Sequence, residues 1–176
     1  MATRKWNIDT SHSNVGFTAR HMMMLKVHGR FQKWSGSFEM DDADPTQSKV
    51  TVTIDAGSID TNDAKRDGHL KSADFFDVEK NPTIEFKSTK VKDLGGGKMD
   101  ITGNLSMHGV TKEVVLHAEA AGKGKDPWGN ERVAFEGKTT VDRTEFGLKW
   151  NQALEAGGVL VSEKIGIEID VQAIPG

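Results

Sequence analysis

The side chains best suited to chemistry in this sequence are its six histidines. Histidine serves as a general base or a metal ligand, but either role needs a second group at a defined spacing. No two histidines lie two residues apart or four residues apart, so they predict no metal site; a zinc site assembled from distant strands is the alternative. Cysteine is absent, which excludes disulfides, thiolate catalysis and cysteine-based zinc sites.

The sequence motifs of common enzyme classes are absent as well. The chain has no G-x-S-x-G nucleophile elbow, no P-loop, no H-E-x-x-H and no dinucleotide-binding G-x-G-x-x-G that opens a helix. The glycine triplet at 95–97 is not followed by a helical pattern, so it predicts a hairpin turn and not a phosphate site. We therefore predict no catalytic residues.

Two ionisable residues fall on apolar faces of predicted strands. His21 shares a face with Phe17, so we expect it to point inward at the end of the structure. There it hydrogen-bonds a backbone carbonyl or meets the head group of a ligand. Glu163 shares a face with Ile165, where a carboxylate must be paired, protonated or at a rim, unless a bulge turns it to water. Arg66 is a candidate partner for Glu163 and a second head-group candidate.

The elements that position these residues are mostly strands. Alternation of apolar and polar residues recurs along the chain, and turn sequences separate the alternating segments. About eight or nine strands are predicted, antiparallel because their connections are short. One helix is indicated; it is capped by Thr61 or Asn62 and reaches about Leu70 to Lys71. The alternating segments lie at 13–21, 50–54, 99–107, 114–118, 133–141, 146–150 and 161–171.

A sheet of this length with one polar face usually closes on itself, because closure removes its unpaired edges. We therefore expect an up-and-down barrel of about eight strands, with a two-sheet sandwich as the alternative. The predicted inward face mixes large apolar side chains with small residues, which predicts an apolar cavity; a core in which small residues only fit the taper is the alternative. The small inward residues are Ala19, Gly29, Gly36, Ser88, Gly103, Gly137 and Thr139.

The run of three methionines and a leucine at 22–25 stands beside His21. A strand with one polar face cannot bury all three methionines, since neighbouring side chains point in opposite directions. We interpret Met22 and Met24 as part of a flexible apolar lip at the mouth of the cavity. A dimer contact is the alternative, because exposed apolar patches also mark interfaces.

Length and composition limit the functional classes. With 176 residues the chain is expected to form one domain, residues 1–176. A net charge of −3 with both signs mixed throughout predicts neither a nucleic-acid partner nor attraction to an anionic membrane. The apolar runs are far shorter than the ~20 residues of a membrane-spanning helix, so we expect no integral membrane segment. The first residues contain no apolar signal-peptide stretch, which predicts a cytoplasmic location.

Several stretches together resemble the YceI-like family along nearly the whole chain. They include a W-x-I-D-x-x-H-S opening at 6–13, an R-D-x-H-L helix followed by D-F-F-D at 66–77, and a G-V-T-K hairpin at 109–112. The resemblance implies an all-β, extended, lipocalin-like antiparallel barrel with a long apolar tunnel. It also implies binding of polyisoprenoid or similar amphiphilic chains, no established catalysis and, in many members, a homodimer. Further matching stretches are 29–41, 142–151 and 161–173.

The combined prediction is a protein that binds a long apolar or amphiphilic molecule, such as a polyisoprenoid, quinone or fatty acid, for carriage or storage. About ten buried methylenes contribute ~8 kcal/mol before ordering costs, which suffices for binding without an elaborate polar site. No cofactor is expected besides this lipid or isoprenoid. The alternatives are a lipid-modifying enzyme with His21 as general base, and a ligand-free structural or stress barrel. The predicted ligand-binding residues are Phe17, His21, Met22, Met24, Phe31, Phe38, Arg66, Phe86, Leu105, Met107, Phe135, Leu148 and Ile165.

Overall fold

The computed structural model describes residues 3–41, 43–151 and 160–176, which are mostly strands with one short α-helix. The strands, in chain order, are β1 (Arg4–Ile8), β2 (Asn14–His21), β3 (Leu25–Phe31), β4 (Trp34–Met40), β5 (Lys49–Asp55), β6 (Ile59–Asp60), β7 (Thr83–Gly95), β8 (Lys98–Met107), β9 (Val110–Lys125), β10 (Glu131–Asp142) and β11 (Lys164–Pro175). The helix is α1 (Ala64–Lys71).

The strands form one antiparallel sheet that closes into a barrel. Its order is β1-β4-β5-β7-β8-β9-β10-β11-β2-β3-β6, and β1 pairs a second time with β11. This second pairing, from Trp6 with Pro175 to Ile8 with Ala173, closes the ring of eight strands from β1 to β11. The predicted eight-stranded antiparallel barrel with one short helix is therefore confirmed. No helix in the described parts of the chain is long and apolar enough to cross a membrane.

The hairpin formed by β2 and β3 extends past the wall of this barrel. Strand β2 pairs with β11 only from Asn14 to Thr18 among the residues that the structure describes. Its pairing with β3 continues further, to His21 opposite Leu25. The end of the hairpin bridges the segment before β11 at His21 and Val161, and backbone hydrogen bonds join Met22 N–H to the Leu160 carbonyl at 2.8 Å and Ser162 N–H to the Arg20 carbonyl at 3.0 Å. The hairpin thus continues beyond the first residue of β11 and lies against residues 160–162.

The sequence prediction was wrong in detail at two places. Helix α1 is capped by Asp63, whose carboxylate accepts hydrogen bonds from the backbone N–H groups of Lys65 and Arg66 at 3.1 Å, and not by Thr61 or Asn62. An aspartate in extended backbone reaches these N–H groups directly, which is the usual N-cap geometry. The predicted end of the helix near Lys71 is confirmed.

The segment 146–150, predicted as a strand, is not one. It follows a 3₁₀ turn, Arg143–Phe146, which ends at Gly147 with a φ of 78°. A residue with this left-handed backbone ends the turn at little steric cost only when it lacks a Cβ. Phe146 and Leu148 are nevertheless both buried, so their alternation reflects burial on either side of the glycine and not strand geometry.

Candidate functional site

The barrel encloses an elongated cavity of about 250 Å³. Its lining follows β11 through four successive inward positions, from Ile165 to Val171, which corresponds to about 20 Å of strand. The lining also includes Phe38 and Met40 of β4, and Phe75, whose ring contacts that of His69 in α1. A cavity of roughly 150 Å³ already holds a molecule the size of benzene when its walls are apolar. This space accommodates an extended molecule larger than that.

The walls of the cavity are almost wholly apolar. Polar side chains occur at four of the lining positions, and most of the others are aliphatic, methionine or phenylalanine. An apolar cavity of this kind is poorly suited to water, because a water molecule needs two or more polar partners. It is suited to a hydrocarbon chain. The polar side chains of the lining are Ser48, Glu136, Thr139 and Arg143.

Two glycines keep aromatic rings close to the wall. A Cβ at Gly29 would lie 2.2 Å from the ring of Phe17, and a Cβ at Gly103 would lie 2.5 Å from the ring of Phe86. The end of each ring therefore occupies the space that a side chain at the glycine would fill. Because these glycines have no side chain, they leave volume inside the barrel. The rings of Phe17 and Phe86 occupy part of that volume.

Nine of the predicted ligand-binding residues lie on the cavity, although whether they contact a ligand stays a prediction. They come from seven strands and the 146–150 segment, and strand alternation had placed most of them on the inward face. The nine residues on the lining are Phe17, Phe31, Phe38, Phe86, Leu105, Met107, Phe135, Leu148 and Ile165.

The remaining four predicted residues, His21, Met22, Met24 and Arg66, lie outside the lining. His21, Met22 and Met24 are at the exposed end of the β2–β3 hairpin. His21 continues the inward face of Phe17 and is exposed; at this point β2 has passed the end of β11, and His21 bridges Val161 instead. That His21 and the methionines form the mouth of the cavity stays a prediction; Ala19 and Val161, which lie next to His21, are on the lining.

Arg66 does not pair with Glu163. Its Nε donates to the hydroxyl of Thr61 at 2.8 Å and its Nη2 donates to the Thr61 carbonyl at 2.7 Å. Glu163 is exposed, because the alternation of β11 begins only at Lys164. Of the two interpretations that the sequence allowed for Glu163, the one that turns it to water is correct.

Arg143, a charged residue of the cavity lining, was missed by sequence reasoning. Its Nε donates to the Ser162 carbonyl at 2.8 Å. Its Nη1 donates to the carbonyls of Leu148 at 2.6 Å and Trp150 at 3.0 Å, and its Nη2 donates to that of Val161 at 3.3 Å. One side chain thus ties together two irregular segments that close this end of the barrel.

Arg143 also interacts with nearby charges and with an aromatic ring at this end of the barrel. Burial lowers the pKa of the Arg143 guanidinium below its ordinary value, and the charges of Glu163 and Asp142 partly offset that effect. Arginine still remains cationic at neutral pH, because its ordinary pKa is so high. The guanidinium carbon lies 5.7 Å from the ring centre of Phe75, a cation–π distance. One feature of the sequence could have pointed to Arg143. It lies two residues after the predicted strand 133–141 and four residues before a glycine, Gly147.

The described residues contain no group of three or more histidine, aspartate or glutamate side chains arranged to hold a metal ion. The histidines are instead engaged locally. His69 and His117 each contact an aspartate, at 2.8 and 2.7 Å, and His108 Nδ1 lies 3.0 Å from the Phe146 carbonyl oxygen. The arrangement can hold an apolar molecule, and it assembles no nucleophile and oriented base around the cavity among these residues.

Comparisons with solved structures support the fold. The crystal structure of Burkholderia cenocepacia BcnA is similar with a TM-score of 0.83 at 24% identity, over 94% of this chain and 98% of that one. A Campylobacter jejuni YceI protein has a TM-score of 0.78 at 30% identity, over 89% and 90%. A domain from Saccharophagus degradans described as polyisoprenoid-binding has a TM-score of 0.70 at 14% identity, over 97% and 98%.

Sequence comparisons extend the similarity. A UPF0312 protein of Pseudomonas aeruginosa is 45% identical over 148 residues, which are 84% of this chain and 77% of that protein. A UPF0312 protein of Vibrio parahaemolyticus is 44% identical over 143 residues, which are 80% and 76%. The model of the YceI-like domain matches residues 6–173, nearly the whole chain. This protein therefore belongs to the YceI-like family, as the resemblance of its sequence motifs had indicated.

Proposed function

We propose that this protein binds a long-chain apolar or amphiphilic molecule in the barrel cavity, for carriage or storage. The ligand classes we expect are a polyisoprenoid, a quinone or a fatty-acid-like chain. The observation that carries the proposal is the elongated cavity with its almost wholly apolar lining. The polyisoprenoid-binding description of one structural neighbour agrees with it.

Binding of such a ligand requires little besides contacts with its hydrocarbon chain. Each methylene moved from water into this cavity contributes about 0.8 kcal/mol, so chain length supplies most of the affinity. The guanidinium of Arg143 is already engaged by four backbone carbonyls, which leaves it little capacity to hold a head group. We therefore expect ligands of equal tail and different head group to bind with affinities within about tenfold of one another.

The first experiment identifies what accompanies the protein. Purified protein is extracted with organic solvent and the extract is analysed by mass spectrometry, then the delipidated protein is offered a quinone and a prenyl alcohol. We expect an amphiphile in the extract or stoichiometric uptake of an added chain. Repeated preparations that yield no amphiphile and take up neither ligand would overturn the proposal.

A second experiment tests the cavity itself. Leu105 lies on the lining and Leu94 is half exposed in the β7–β8 hairpin, so Leu105→Trp and Leu94→Trp form a matched pair. We expect Leu105→Trp to lower ligand affinity at least tenfold and Leu94→Trp to leave it unchanged. Thr139→Leu, a smaller obstruction on the same lining, covers the case in which the larger substitution does not fold. Equal uptake by all variants would place the ligand elsewhere.

The exposure of His21 and its position outside the cavity lining favour binding over the lipid-modifying alternative, which needs His21 as its base. We therefore propose a binding protein and not an enzyme. A homodimer and a cytoplasmic location stay predictions, to be checked by sedimentation of the purified protein and by fractionation of cells that produce it.

A further inference from the structure

The end of the β2–β3 hairpin exposes a continuous apolar surface that the cavity does not use. We call residues 21–25 the hairpin tip. Four of the six large apolar side chains that are exposed among the described residues lie in it, next to one another. The exposed fractions are 40% for Met22, 55% for Met23, 65% for Met24 and 71% for Leu25.

Two residues of the hairpin tip have a strained backbone conformation, because they are not glycine and have positive φ angles. Met22 and Met23 have φ angles of 53° and 60°, in the left-handed region that side chains with a Cβ disfavour. The Met24 N–H donates to the His21 carbonyl at 3.1 Å, which closes the turn. A turn with two such φ angles favours Asn-Gly, so the methionines are not there for the turn's own stability. Strain of this kind at an exposed site indicates a functional role.

The charged residues of strands β2 and β3 are all of one sign, namely Arg20, Lys26 and Arg30. The sequence from residue 10 to residue 38 contains no aspartate or glutamate, although the whole chain has a net charge of −3. Arg20 and Lys26 are directly opposite one another on the outward face, where like charges destabilise a strand pair. Farther along that face Arg30 lies 3.5 Å from Asp60, so the unopposed charge is concentrated near the tip.

In the part of the adjacent segment that the structure describes, 160–164, the charged residues add no net negative charge. Glu163 and Lys164 are both exposed and follow Ser162, whose hydroxyl accepts the Arg20 N–H at 2.9 Å. Their charges are opposite and offset each other. The even mixture of charge in the whole sequence, which predicted no attraction to an anionic membrane, therefore conceals a local cationic surface.

We propose that the hairpin tip docks the protein on an anionic lipid membrane surface. The methionines and Leu25 would enter the boundary between head groups and acyl chains, and Arg20 and Lys26 would contact anionic head groups. Arg20 precedes Met22 by two residues, about 7 Å along a strand, which matches the roughly 5–10 Å depth of interfacial insertion. A second copy docked tip to tip would instead bring four cations together.

This inference goes beyond ligand binding, so its test uses the delipidated protein and no added ligand. The protein is floated with vesicles of phosphatidylcholine alone, and with vesicles in which about a third of the lipid is phosphatidylglycerol. We expect at least tenfold higher affinity for the anionic vesicles, since each cation at such a surface contributes about fivefold. No flotation with anionic vesicles would overturn the proposal.

Two sets of variants separate the apolar and cationic contributions. The triple substitution Met22→Ser, Met23→Ser, Met24→Ser and the double substitution Arg20→Gln, Lys26→Gln should each lower affinity for anionic vesicles at least tenfold. Trp128→Ser is the matched control, because Trp128 is 81% exposed in the turn between β9 and β10. Equal loss in the control would overturn the assignment to the hairpin tip.

Sedimentation of the same variants distinguishes the membrane from a second copy. We expect the triple variant to have the oligomeric state of the wild-type protein. If the substitutions instead dissociate an oligomer and leave vesicle affinity unchanged, the tip is a protein interface and the membrane proposal is wrong. Delipidated protein that floats normally but takes up no ligand would leave this inference standing and remove the proposed function.

Discussion

The two halves of strand β2 place the same face of one strand in different surroundings. Phe17, in the half that pairs with β11, lies on the cavity lining. His21, four residues later on the same face, is exposed because its half extends past β11. Alternation decides which way a side chain points, and the neighbouring strands decide whether anything covers it. The barrel and the hairpin tip therefore differ in packing and not in local geometry.

The largest test of this difference compares two arginines. Arg143→Met should lower the free energy of unfolding by about 3–5 kcal/mol, because it leaves buried carbonyls without donors. Arg20→Met should change it by less than about 0.5 kcal/mol, because Arg20 is exposed and its Nη1 makes one long hydrogen bond, 3.3 Å, to Met24. Urea denaturation of both variants is the measurement.

Arg143→Lys serves as the conservative control for that comparison. A lysine ammonium has no planar fork, so it cannot meet carbonyls of both segments as the guanidinium does. We expect it to recover only part of the lost stability. Full recovery would mean that positive charge, and not the forked hydrogen bonding, stabilises this end of the barrel.

A second test compares two leucines. Leu148 is 3% exposed on the cavity lining and Leu25 is 71% exposed in the hairpin tip. Leu148→Ala should cost about 2–4 kcal/mol in unfolding free energy, because it removes buried methyl groups and enlarges a cavity. Leu25→Ala should cost less than about 0.5 kcal/mol. Similar losses at both sites in urea denaturation would show that the tip is packed against something in solution.

The same contrast explains how much of the site was predictable from sequence. Phe86 and Leu105 lie on the inward face as alternation requires, because each is inside a barrel strand with partners on both sides. Alternation cannot show where a neighbouring strand ends, so it does not reveal that His21 lies beyond β11 and is exposed. Strand pairing over long sequence distances determines that limit, and one sequence does not contain it.

Arg143 was unpredictable for a different reason. It lies in a 3₁₀ turn, outside any alternating segment, and its partners are backbone carbonyls. Backbone acceptors are present at every residue, so no pairing of side-chain types marks the contact. The helix cap shows a milder form of this problem, since Thr61, Asn62 and Asp63 are all suitable caps and only the backbone distinguishes them.

The turn between β1 and β2, at the opposite end of β2 from the hairpin tip, gives a smaller, pH-dependent effect. Asp9, between β1 and β2, accepts hydrogen bonds from Ser11 and from Arg132 at 2.8 Å, and it contacts His12 at 2.8 Å. These contacts, that with the Ser11 hydroxyl first, hold the pKa of Asp9 well below its ordinary value of 3.8. Asp9→Asn should cost about 1 kcal/mol at neutral pH, since both Asp9 and Arg132 keep some solvent contact.

The sign of the pH effect follows from the direction of this shift. The folded carboxylate has the lower pKa, so its contribution is complete above about pH 4 and is lost as pH falls through the folded pKa. The stability difference between wild type and Asp9→Asn should therefore be constant above about pH 4 and shrink in more acid solution. Urea denaturation at a series of pH values measures it. A difference that grows as pH falls would contradict the assigned shift.

The smallest expected effect is a gain in stability at the hairpin tip. Met22→Asn with Met23→Gly replaces two strained residues by those that suit φ angles of 53° and 60°, and should raise the unfolding free energy by about 0.5–1 kcal/mol. The same variant should bind anionic vesicles more weakly, because it removes two exposed thioether side chains. Met24→Ser leaves the strained pair in place and should weaken vesicle binding without the gain in stability. A tip that becomes more stable as it loses membrane affinity would show that its strain is the cost of displaying methionines at an exposed turn.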